Sequence, residues 1–191
     1  MPFVFTAAMQ KRLSPRVRAM LDRSISFFPE LKDRTITVGV TRANLGSAVL
    51  ARRGTAIVKL TIRLNVRALS FQTVGHELTH LAQGVARASL KAARGRRGLI
   101  PAGEKQCDVW TLARSRLFCD EPPTYLRLPK QVRADWSRYA GRVRALCIAA
   151  IARRKRERFY IRWLESEIAK LGRERASPRP PPAQLSLPFA S

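Results

Sequence analysis

The stretch His76-Glu77-Leu78-Thr79-His80 contains both histidines of the chain, and its reading decides how the rest is arranged. On a helix, residues four apart share a face one turn apart. An H-E-x-x-H segment therefore sets two imidazoles where they can grip one zinc ion, with Glu77 between them placed to serve as a general base. Two histidines and eight glutamates scattered at random over 191 residues would give this pattern on the order of once in two thousand shuffles, so chance is a poor account of it.

At 100° per residue, Phe71, Val74, Leu78, Leu81 and Val85 form one apolar stripe, with His76 and His80 roughly 150° away. The spacing predicts a helix from about Phe71 to Ala86, capped by Ser70. A lone histidine in a helix is ordinarily a satisfied core residue, but this pair lies off the core stripe. Upstream, Leu13, Val17, Met20, Leu21 and Ile25 recur at helical spacing behind Pro15, so a helix begins near Ser14. Strands are expected over Thr35 to Thr41, over Ser47 to Arg52 after the turn-like Asn44-Leu45-Gly46, and over Thr55 to Asn65. The last has Val58, Leu60, Ile62 and Leu64 on one face and Lys59, Thr61 and Arg63 on the other, and Gly54 joins the last two strands as a hairpin.

Zinc needs a third protein ligand, which no further histidine can supply, so an acid or a cysteine must. A helix expected over Gly103 to Leu117 carries Glu104, Cys107, Asp108 and Thr111 on one side and Val109, Trp110, Ala113 and Leu117 on the other. Its polar side would meet the histidines if the two helices pack side by side; otherwise it is a solvated face. Glu104, Asp108 and Cys107 all stand as candidates at this point.

His76-Glu77-Leu78-Thr79-His80 followed by Glu104-x-x-x-Asp108 resembles the zinc-binding pattern of the gluzincin metallopeptidases. The resemblance implies that His76, His80 and Glu104 bind zinc, that Glu77 activates a water, and that Asp108 hydrogen-bonds a histidine ring. The order of elements over about Thr35 to Arg114 is similar to the compact minigluzincin and SprT-like proteins, although SprT-like proteins generally use a third histidine that this chain lacks. The same resemblance implies that the strand nearest the cleft pairs with extended peptides, with Thr55 to Asn65 as the natural candidate. A developing oxyanion would need a donor besides the metal, for which Tyr125 and Tyr139 are candidates.

With 37 Lys and Arg against 13 acids, a formal charge of +24 and a pI near 11.7, the chain should be drawn to polyanions. Beyond Pro122-Pro123, the stretch from Lys130 to about Leu171 is helical in character, in one or two helices. Trp136, Tyr139, Val143, Leu146, Ala150 and Ile151 form its docking face. Its cations include the run Arg153-Arg154-Lys155-Arg156, which implies contact with DNA or RNA through phosphates, without sequence specificity. Three widely spaced cysteines suggest neither a disulfide framework nor a cysteine zinc cluster, and the lack of a signal-like N-terminus or long apolar run predicts a cytoplasmic protein off the membrane.

The last sixteen residues are proline-rich and read as a disordered tail. They contain Gln184-Leu185-Ser186-Leu187-Pro188-Phe189, which resembles the short motif by which bacterial replication and repair proteins dock on the sliding clamp. The resemblance implies hydrogen bonds from Gln184 and an apolar anchor made by Leu185, Leu187 and Phe189.

The sequence thus predicts an α+β chain with three parts. A zincin-like domain over residues 1–129 is built from an N-terminal helix, a small three-stranded sheet, the H-E-x-x-H helix and the glutamate helix. A basic helical extension follows over 130–175, and the tail covers 176–191. The functional expectation is a zinc peptidase acting on DNA-associated proteins. A non-catalytic nucleic-acid-binding or clamp-binding protein with a structural zinc is the competing class.

Overall fold

In β4 (Ala56–Leu64), Leu60, Ile62 and Leu64 are buried and alternate with Thr61 and Arg63, a period of two that sends one face into the core. The computed structural model that defines these elements describes residues 2–54, 56–92 and 100–173. β4 pairs in parallel with β2 (Ile36–Val40), Ile36 opposite Leu60 and Val40 opposite Leu64, and antiparallel with β3 (Gly46–Arg53). Gly54, at φ +61°, supplies the left-handed turn of the β3–β4 hairpin, as its position in the sequence implies.

The sheet has four strands rather than the expected three, in the order β1-β2-β4-β3. The additional strand, β1 (Phe3–Phe5), pairs in parallel with β2 and is too short to show an alternation in sequence. The buried face is also shorter than expected. Val58 is 60% exposed because the distal end of the hairpin runs past the core.

The order of strands places β4 inside the sheet and β3 at its edge. The expectation that Thr55 to Asn65 offers a free edge to an extended ligand is therefore corrected, since both sides of β4 are already paired. The edge strand β3, like β4, packs along the histidine helix.

Helix α1 (Ala7–Gln10) is a single turn, and α2 (Pro15–Ile25) is capped by Ser14, whose Oγ accepts from the Val17 N–H. Helix α3 (Phe71–Ala92) carries the H-E-x-x-H residues and runs six residues beyond its expected end at Ala86. Its stripe of Val74, Leu78, Leu81 and Val85 joins Leu60, Ile62, Leu64, Val17 and Leu21 in the first core. Burying each such side chain contributes on the order of 1.5–3 kcal/mol relative to leaving it in water, which holds α3 flat on the sheet.

The start of α3 is held by two acceptors. Ser70 Oγ accepts from the Thr73 N–H at 3.1 Å, and the Asp120 carboxylate accepts from the N–H groups of Phe71 and Gln72 at 2.7 and 2.9 Å. A carboxylate here meets the positive end of the helix dipole. Asp120 follows the 3₁₀ turn Arg116–Cys119 and lies 49 positions after Phe71, so no local pattern could have announced it.

Helix α4 (Glu104–Arg114) begins at Gly103 and faces two ways. Its Cys107, Asp108 and Thr111 are buried toward α3, where Thr111 Oγ1 and Thr79 Oγ1 lie 2.7 Å apart. Its Val109 and Leu112 join a second core with Val132 of α5 (Lys130–Ala134), Val143 and Cys147 of α6 (Trp136–Arg153) and Leu164 and Ile168 of α7 (Tyr160–Leu171). The basic extension is thus docked on the back of the helix that carries Glu104. No helix among the described residues is long and apolar enough to cross a membrane.

Candidate metal centre

The H-E-x-x-H spacing does what helix geometry requires. His76 and His80 lie in edge-to-face contact, ring centroids 4.8 Å apart, with their Nε2 atoms separated by 3.2 Å. α4 lays Glu104 across the pair, and Oε2 is 3.0 Å from Nε2 of each histidine. Donor atoms of His76, His80 and Cys107 also fall within 4.8 Å of one another, a group that could hold a metal ion.

Behind the histidines, α4 supplies a partner to each outer ring nitrogen. His76 Nδ1 donates to Asp108 Oδ1 at 2.8 Å, and Cys107 Sγ lies 3.2 Å from His80 Nδ1. With a proton on each Nδ1, both Nε2 atoms present lone pairs to the Glu104 carboxylate. Three acceptors then face one another with no hydrogen between them, an arrangement satisfied by a cation or by a proton taken up on one ring.

Asp108 has no exposed surface and its two oxygens are fully used. Oδ1 also accepts from Gln72 Nε2 at 3.2 Å, and Oδ2 accepts from the backbone N–H groups of Tyr125 and Leu126 at 2.7 and 2.8 Å. One carboxylate thus ties α3, α4 and the 124–126 segment together. The segment is positioned so that the Tyr125 ring stacks on His76 at 5.4 Å.

Protonation follows from these contacts. Burial would lower the pKa of His76, but the hydrogen bond and charge of Asp108, joined by Glu104, raise it above the ordinary imidazole value. Burial tends to raise Glu104, yet its contacts with the two histidines hold it below the usual carboxylate range. Burial pushes the Glu77 carboxyl up to about 7. It also pushes the Cys107 thiol well up, with nearby carboxylates adding to the effect.

Glu77 lines an open cleft of about 260 Å³ with His76, Tyr125 and the start of β3 at Asn44, Leu45 and Gly46. Gly46 is there for space. A Cβ built on it would stand 2.6 Å from Glu77 Oε1, so only the bare backbone lets the strand pass over the carboxylate.

Of the residues singled out by sequence, the fold gathers His76, Glu77, His80, Glu104, Cys107, Asp108 and Tyr125 at this one place. Tyr139 is elsewhere: it is 2% exposed within the second core, where its place in the docking face of α6 puts it, and it does not line the cleft. Arg153, Arg154, Lys155 and Arg156 end α6 and begin the turn to α7. Gln184, Leu185, Leu187 and Phe189, with the rest of the tail and the Arg94 to Gly98 loop, lie outside the described residues. Sequence reasoning missed Gly46 as a cleft residue, although it marked the turn there, and gave no role to Gln72.

The chain matches no family model, no curated protein and no solved structure.

Proposed function

We propose that the protein is a zinc-dependent peptidase in which His76, His80 and Glu104 hold the metal. The observation that carries this reading is the convergence of His76 Nε2, His80 Nε2 and Glu104 Oε2, mutually 3.0 to 3.2 Å apart. Ligand bonds of 2.0–2.2 Å at tetrahedral angles need donor atoms about 3.3 to 3.6 Å apart, so the three atoms need to spread by only a few tenths of an ångström to accept the ion. Cys107 is the weaker third donor. Its sulfur approaches His80 from the Nδ1 edge, opposite to Nε2, and its raised pKa disfavours the thiolate that zinc prefers. We assign it the role of a partner behind His80, as Asp108 is behind His76.

When bound, zinc supplies a Lewis acid that acidifies water and polarises a carbonyl. The protein's own groups do the rest. Glu77 sits beside the metal ligands but is not one of them, and its carboxylate, held there without a cation among the described residues as hydrogen-bond partner, can take a proton from an attacking water and return it to a leaving amine. Asp108 fixes the His76 tautomer so that Nε2 stays free for the metal. Tyr125, half-exposed over His76, can present its hydroxyl to charge developing on a carbonyl oxygen. The cleft is open and flanked by the β3 edge, which suits an extended chain as substrate.

The test combines metal analysis with hydrolysis of an unstructured protein substrate such as casein. Purified protein should contain about one zinc per chain, Glu104→Ala should lose it, and Glu77→Gln should keep it while losing cleavage. Unaltered cleavage by Glu77→Gln would remove the catalytic reading. Retained zinc without any hydrolysis in the wild type would favour a structural metal.

A further inference from the structure

The turn between α6 and α7 carries features that the metal centre does not use. Phe159 is 61% exposed, the most exposed large hydrophobic side chain among the described residues. Two guanidiniums lie over its ring in cation–π contacts, Arg162 at 5.1 Å and Arg158 at 5.8 Å from the centroid, yet leave most of it open to solvent, and Arg153 lies over Trp163 at 4.8 Å. From Arg153 to Arg162 there are six cations and one acid, Glu157, which is occupied by Arg153 at 2.6 Å. Among the described residues no carboxylate pairs with Arg154, Lys155, Arg156, Arg158 or Arg162.

The corner is held in place. The Tyr160 hydroxyl donates to Gln106 Oε1, Lys105 pairs with Glu165, and Tyr160, Leu164, Ile168 and Leu171 of α7 are buried in the second core. Ile161 of the same helix shares a shallow hollow with Glu104 and Tyr125.

We propose that the α6–α7 corner is a binding site for single-stranded nucleic acid, with an unpaired base stacked on Phe159 and the adjoining phosphates held by Arg158, Arg162 and the Arg154–Arg156 run. An aromatic ring left largely in water costs free energy, and one bearing guanidiniums is matched by a ligand that alternates flat apolar rings with anions, which can stack on the ring while drawing the arginines onto its phosphates. Arginine serves both parts, since its planar fork binds phosphate and stacks on ring faces. Duplex DNA would offer only phosphates here, because its bases are already stacked. An anionic bilayer fits less well: the apolar face of α7 is turned inward, leaving one ring where an interfacial helix needs a whole apolar side. This site is independent of the peptidase reading, since none of its residues touches the metal ligands.

The experiment is fluorescence anisotropy of the full chain with a labelled oligothymidylate, the matching duplex, and vesicles containing phosphatidylserine. The single strand should bind best. Phe159→Ala should weaken it by roughly tenfold or more and leave duplex binding unchanged, while Phe159→Trp should restore it. Arg158→Ala with Arg162→Ala should flatten the slope of log affinity against log salt by about 0.7 for each phosphate no longer neutralised. Equal binding of single strand by Phe159→Ala, or tighter binding to vesicles than to the oligonucleotide, overturns the proposal. Glu77→Gln should bind the oligonucleotide normally, so failure of the peptidase reading and failure of this one are told apart.

Discussion

The wholly buried carboxylate of Asp108 accepts a hydrogen bond from His76 Nδ1 at 2.8 Å. Through its other oxygen it also anchors the backbone of Tyr125, whose ring covers that same imidazole. One side chain therefore sets both the tautomer of a proposed ligand and the position of the aromatic group above it.

Replacing Asp108 should expose this double role. Asp108→Asn keeps the shape but loses the charge and forces one amide N–H against a donor. Metal affinity should fall about 10- to 100-fold, as for other partners of ligand histidines, measured by competition with a chromophoric chelator. Asp108→Ala should in addition lower unfolding stability by at least about 2 kcal/mol, because several buried donors lose their acceptor.

Glu104 and Cys107 make opposite predictions about the ligand set. Glu104→Ala should abolish stoichiometric zinc binding, whereas Cys107→Ser should retain it, since the sulfur lies behind His80 rather than between the two Nε2 atoms. Cobalt-substituted protein provides the check. A sulfur-to-cobalt charge-transfer band that vanishes in Cys107→Ser would make Cys107 the ligand and displace Glu104.

Gly46→Ala should impair hydrolysis without removing metal. The added methyl would press on Glu77 Oε1 from 2.6 Å and must displace either the strand or the carboxylate. The expected result is normal zinc content with kcat reduced at least about tenfold, the scale of a misplaced proton-transfer group. Unchanged kcat would mean that Glu77 moves aside without loss and needs no fixed position.

Tyr125→Phe separates stacking from hydrogen bonding. The ring contact with His76 is kept and the hydroxyl is removed, so zinc content should be unchanged while kcat drops about 10²- to 10³-fold, as when one oxyanion donor is deleted. An unaltered kcat would confine Tyr125 to packing.

Metal-free protein should be more stable in mild acid than in mild base. Glu77 has its folded pKa raised from an ordinary 4.5 to about 7, so its contribution is fully present below about 4.5 and lost as pH rises through 7. The raised pKa of His76 acts in the same sense, its stabilisation being lost as pH climbs past the folded value. The lowered pKa of Glu104 matters only at more acid pH, where its contribution is lost. Denaturant titrations in chelator at pH 5 and pH 8 should differ by roughly 2–3 kcal/mol. Glu77→Gln should shrink that difference, and a difference that persists undiminished in it would assign the effect elsewhere.

Much of this was legible in the chain itself. The apolar stripe of α3, the Ser14 and Ser70 caps, the Gly54 hairpin and the amphipathic sides of α4 are local patterns. They are fixed by 3.6- and 2-residue periods and by capping chemistry, which act over a few neighbours. Those periods also determine that His76 and His80 share a face and that Cys107, Asp108 and Thr111 turn one way. What sequence could not reach are relations between distant segments. The edge position of β3, the β1 strand, the Asp120 cap on α3, the close pass of Gly46 over Glu77, the removal of Tyr139 into the second core and the exposure of Phe159 depend on which surfaces pack together. Packing sums many weak, non-directional contacts over the whole chain, so only the tertiary structure decided them.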